Sequence, residues 1–395
     1  MSAATVSRGA RRFLLASAVA LPLSLAADLA ALPRRTVVVL ALHGFVLHAL
    51  FGKAYSLVPS YVDRRLALPG ALALHLPLTV VGVAGLALSP IDGVPAVVGT
   101  VGAVGWALGV GVFLAALGWT LRDNPTGAET GTGTANADRR PIDRFANAFV
   151  PVVLAYLALG SFATLATHVG LPTPFGPYPA RVSHLLGAGT AALLVFAVGF
   201  RLLPRFLVAR PPRPIVAAVL PAGAVAPLLL AASLVERGLA FRIGAILETL
   251  AVLGFAVAFV VLFVRSDRRR VGFYGVLAGV VSGALAVLLG LSFAFGSVSG
   301  SLVAAHLRLN LLGFLGLTVV GVTYQFYPPA VGTFPGAGDR TALGVLVALA
   351  GGLTLTVTGL VGGVPAVAEA GTTLSLAGAA VHLYLLAGLF RERYG

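Results

Sequence analysis

The chain has 395 residues, 58% of them hydrophobic and 10% charged, with a mean hydropathy of +0.99. No soluble domain of this size can hide that much apolar surface, so a lipid bilayer must be its solvent. A net charge of +14 would suggest nucleic acid in a soluble protein. Here the cations sit between apolar runs and report topology, and no nucleic-acid partner is expected. There is no cysteine and the single methionine is Met1, which excludes disulfides, thiolate metal sites, covalent c-type haem and His/Met haem ligation. Any metal or haem must therefore rely mainly on the seven histidines.

Apolar runs of about 20 residues, enough to cross a hydrocarbon core of about 30 Å, mark the spans. Twelve are predicted, near 13–32, 36–58, 66–89, 94–121, 145–168, 182–208, 214–235, 240–264, 271–295, 301–327, 341–364 and 370–390. The first, "SRGARRFLLASAVALPLSLAADLAAL", has the charge pattern of a signal peptide but is expected to be a retained span. After the fourth span comes "RDNPTGAETGTGTANADRRPID", 122–143, which reads as a flexible cytoplasmic linker. A second charged break, "RSDRRR" at 265–270, follows the eighth span. The expected fold is an all-α, single polytopic membrane domain over 1–395, with four-helix blocks at 13–121, 144–265 and 271–390.

Arginine placement tests the span count. Of 26 arginines, nineteen fall on one side of the predicted membrane and five on the other: Arg34, Arg35, Arg181, Arg237 and Arg242. Arg201 and Arg308 are left inside spans. The excess predicts a plasma-membrane protein with both termini cytoplasmic.

The second helix of each block has a common shape. The stretches are "HGFVLHALFGKAYSLVP" from His43, "HLLGAGTAALLVFAVGFRLLP" from His184 and "HLRLNLLGFLGLTVVGVTYQFYP" from His306. Aligned on Pro59, Pro204 and Pro328, each has an aromatic four residues earlier: Tyr55, Phe200 and Tyr324. All three helices run in the same direction, so their histidines are expected in one layer near the outer face.

Twelve spans in three arcs, with histidines on helices two, six and ten, resemble subunit I of the haem–copper oxidase and nitric oxide reductase superfamily. That resemblance implies three four-helix arcs about an approximate threefold axis. It implies His43, from the His-Gly pair, as a low-spin haem ligand and His306 as the high-spin haem ligand. These two are the expected metal-binding residues, with His184 a helix-six candidate by rough position. The chain also departs from the pattern. Arg308 stands where the family's tenth helix has its second histidine, and "PIVAAVLPAGAVAPLLLAASLVE" lacks the helix-seven histidine pair. One imidazole, His184, cannot hold a copper ion, so copper and oxygen reduction are not expected.

The resemblance thus implies a subunit-I-like protein carrying one b-type haem, serving electron transfer or NO/O2 sensing beside a respiratory-chain partner. Two rivals stand beside it: a haem- or copper-containing nitric-oxide-response membrane protein, and a cofactor-free transporter or scaffold on the same fold. Arg308 is expected either to snorkel outward or to meet a haem propionate or a carboxylate. His43 and His48, five residues apart on an α-helix, should face different ways. His75, His168 and His382 read as packing residues, Lys53 as snorkelling inward, and Glu248 as a proton or cation site.

Overall fold

The computed structural model describes residues 3–394, and among them there are helices and no strand. Twelve helices are long and apolar enough to cross a membrane. They are α1 (Ala4–Leu29), α2 (Arg34–Tyr61), α3 (Ala71–Leu88), α4 (Ala96–Leu121), α5 (Thr134–Val169) and α6 (Pro179–Leu207). There follow α7 (Arg213–Ser233), α8 (Leu239–Arg265), α9 (Val271–Phe295), α10 (Gly300–Val331), α11 (Asp339–Gly362) and α12 (Pro365–Tyr394). These are the helices of a multi-pass membrane protein, and each coincides with a span expected from apolar run length. The first is packed into the bundle, with Phe13 and Ala18 fully buried.

The helices differ in how much of their surface they hide. In the most apolar stretches of α2, α6 and α10, 67, 78 and 61% of residues are buried, against 39–50% in the other nine. The nine outer helices expose large apolar side chains such as Val81, Leu108, Val257, Leu285 and Val347, as lipid contact requires. Neighbours in sequence pack together, as α3 on α4, α7 on α8 and α11 on α12 do, and α1 packs on α12. Close approach is bought with glycine: a Cβ on Gly82 of α3 would lie 2.6 Å from the Trp106 backbone nitrogen of α4.

Each of the three inner helices contains a nine-residue π-helical run: Val39–Leu47 in α2, His184–Ala192 in α6 and Leu309–Leu317 in α10. The three runs touch one another. A π turn is closed by i→i+5 bonds and is rare, occurring mostly as single turns near functional sites. Here side chains reinforce it. The Thr190 hydroxyl donates to the Leu185 carbonyl at 3.2 Å, and His48 Nδ1 donates to the His43 carbonyl at 2.7 Å, both five residues back.

The connection at 122–143 is not the flexible linker its composition suggests. It folds onto the end of the bundle where α2 and α6 finish. Asn124 Nδ2 donates to the carbonyls of Val62 and Glu129 at 3.0 and 2.8 Å, and the Thr132 hydroxyl donates to Asp143. Asp143 in turn accepts from Arg205 at 2.6 Å and lies 3.4 Å from Nε of Arg201, whose guanidinium also donates to the Tyr61 carbonyl at 2.7 Å. Asn, Thr and Asp side chains bond readily to nearby backbone, so a turn-rich segment becomes ordered once a buried arginine supplies a fixed partner.

Candidate functional site

The α2 π run changes how its histidines are placed. On an α-helix His43 and His48 would diverge, but i→i+5 bonding brings the fifth residue back to nearly the same face. Both rings pack on Trp106 of α4, at centroid separations of 4.7 and 6.5 Å. The sequence expectation that they face apart is therefore overturned by the wider turn. His75 of α3 joins the cluster, with Phe51 at 4.7 Å, Phe13 at 4.8 Å and its Nδ1 hydrogen-bonded to the Tyr55 hydroxyl at 3.0 Å. Both ring nitrogens of His43, and Nε2 of His48 and of His75, are buried with no partner. A buried polar atom without a partner costs about 1–3 kcal/mol, so this cluster holds unused ligand capacity.

The α10 pair divides as helical geometry demands. Residues two apart point roughly oppositely on an α-helix, and His306 turns to α9 while Arg308 turns to α1. His306 Nδ1 donates to the Ala286 carbonyl at 2.9 Å, so in the neutral ring the lone pair is on Nε2. That nitrogen lies 3.3 Å from the amide of Asn310. Arg308 makes a two-bond pair with Asp28 at 2.6 and 2.8 Å. Of the two partners expected for this guanidinium, the structure supplies the carboxylate.

His184 of α6 donates through Nδ1 to the Ala180 carbonyl at 2.8 Å, again leaving Nε2 as the basic nitrogen. His168 lies beside Arg35 at 3.2 Å, and His382 bonds the Tyr324 hydroxyl at 3.0 Å. Glu248 has Oε2 buried without a partner. His43 and His306 are not brought together, because one faces α4 and the other α9. Among the described residues no three His, Cys, Asp or Glu are grouped as a metal site needs.

Two cavities lie among the inner helices, and neither is lined by a histidine. The larger is bounded chiefly by α2, α6 and α10 just beyond their π runs, with Leu14 of α1 and Phe255 of α8, and Lys53 is its only charged residue. The smaller lies between α1, α2, α10, α11 and α12 and is lined by the Asp28–Arg308 pair.

Several of these residues escaped sequence reasoning. Asp28 is the one acid in the first apolar run and lies at the same end as Arg308, a signal that could have been used. Trp106 and the Asp143 network had no comparable signal. Compared with known families and curated proteins, the chain matches no family model and no curated sequence.

Proposed function

We propose that the chain is a subunit-I-like membrane protein, built as three four-helix arcs about an approximate threefold axis. In this reading it carries one b-type haem on His306 for electron transfer or for binding NO or O2. The observation that supports it most is the recurrence of a nine-residue π run in each of α2, α6 and α10, the three most buried helices. These are the helices that the histidine repeat singles out.

The donor chemistry at His306 fits a ligand to haem iron. Its Nδ1–H is held by a backbone carbonyl, which orients the ring and leaves Nε2 to bind iron. Asn310 covers that nitrogen and would have to turn aside. A haem there would supply one-electron chemistry and the capacity to bind a diatomic gas. A bis-imidazole haem between α2 and α10 does not fit. Arg308 occupies the second ligand's position and is committed to Asp28, and His43 faces Trp106.

The test is the visible spectrum of protein purified after expression with ample haem. A Soret band that shifts with carbon monoxide, is lost in His306→Ala and survives in His43→Ala is expected. No band would leave the cofactor-free carrier, which one observation favours: neither cavity has an imidazole in its wall. An unchanged band in His306→Ala would overturn His306 as the ligand.

The same reading places both termini and residues 122–143 in the cytoplasm of a plasma-membrane protein. Thr132 is buried, so the exposed Ala137 is the better labelling site. In intact cells Asp92→Cys should react with an impermeant thiol reagent and Ala137→Cys should not. The reverse pattern would overturn the orientation.

A further inference from the structure

Lys53 is the only lysine in a chain with 26 arginines, and it stands in the wall of the larger cavity. Its ammonium has no carboxylate within salt-bridge distance among the described residues. It rests instead over the rings of Phe326 and Tyr327 at 3.8 and 4.2 Å. The smaller cavity also holds a cation, but there Asp28 neutralises Arg308. The larger cavity therefore differs in kind: an apolar chamber with one lysine that no carboxylate pairs among the described residues.

Its walls are arranged lengthwise. On α2 the lining runs from Ala49 to Leu57, on α6 from Leu194 to Leu203, and on α10 from Thr318 to Thr323. At 1.5 Å per residue the α2 wall is about 12 Å long, the scale of a medium-length acyl chain. Lys53 reaches toward Phe326 and Tyr327, beyond the last α10 wall residue, so its charge lies toward the end where α2 and α10 finish. The deep end, at Ala49 and Leu194, is apolar apart from the Thr318 hydroxyl. Apolar surface along the length with one cation at one end is the complement of an amphipathic anion.

We propose that this chamber binds a medium-chain fatty carboxylate, with the acyl tail between α2, α6 and α10 and the carboxylate on the Lys53 ammonium. The charge-assisted bond gives the anion an advantage that an uncharged chain of the same length lacks. This inference does not depend on the haem reading, since the chamber has no histidine in its wall.

The probe is radiolabelled laurate, with its methyl ester as the uncharged control, on the full chain in lipid nanodiscs. Saturable laurate binding is expected, about tenfold or more tighter than the ester. Lys53→Gln should remove that preference and Lys53→Arg should keep most of it. Val198→Phe, which fills the chamber and spares the charge, should weaken laurate and ester alike. Equal binding of laurate and ester to the unaltered chain would overturn the proposal, as would no saturable binding. Both readouts are available even if the Lys53 variants fail to fold.

Discussion

Arg201 and Arg308 are the two arginines that fall inside the apolar runs of the sequence, and the structure pairs them in contrasting ways. The Arg201 side chain is 2% exposed and so is that of its partner Asp143, whereas Arg308 and Asp28 are 24 and 20% exposed. Arg201 is one member of a network that also includes Arg205, Thr132, Asn147 and the Tyr61 carbonyl. Arg308 makes a closed pair, two bonds to one carboxylate, with a third contact back to its own helix at Ala304. The first arrangement fastens a connecting segment to α6. The second joins α10 to α1 in the wall of the smaller cavity. Burial decides what each can do: a fully buried network is a structural fastening, while a partly solvated pair beside a cavity can exchange partners.

The largest effect that could break this contrast is Asp143→Ala. Removing one partner from a buried ion pair leaves an uncompensated charge, so a loss of about 3–5 kcal/mol is expected, read as a fall in thermal midpoint or in folded yield. A variant as stable as the parent would show that residues 122–143 are not fastened through Arg201.

Asp28→Asn should cost less, about 1 kcal/mol, because solvent already screens part of the pair and the amide oxygen still accepts one bond. The same stability measurement checks it, and a loss as large as that of Asp143→Ala would erase the distinction between the two arginines.

The smallest expected effects come from neutral contacts. Tyr55→Phe and Tyr324→Phe each remove a hydrogen bond of 3.0 Å to a buried histidine, His75 and His382 respectively. Each should cost about 1 kcal/mol or less, which scales the neutral contact against the two charged ones. The equivalent position in the middle block, Phe200, has no hydroxyl and sets what packing alone supplies. A larger effect at Tyr55 than at Tyr324 would point to the unpartnered histidine nitrogens around Trp106 as more than packing.

Counting arginines singled out Arg201 and Arg308, yet could not name their partners. Asp28 is 280 residues from Arg308, and no local rule connects them. The linker misled for a related reason. Its Gly, Thr, Asn and Asp content describes what the segment does without a partner, and Arg201 is that partner. The histidine angles failed where the helix itself changed type: the α-helical rotation that separates His43 from His48 does not hold inside a π run.

Composition and the length of apolar runs by themselves determined an all-helical protein with twelve spans, because every backbone polar group in lipid must be satisfied within its own helix. The repeat of histidine, aromatic and proline likewise determined which three helices are special. Only the tertiary structure decided which way each side chain on them points, that α2, α6 and α10 are the buried ones, and that Lys53 faces an apolar chamber. Those outcomes depend on helix-helix packing and on the wider turn of the π runs, and both arise from contacts between segments far apart in the chain.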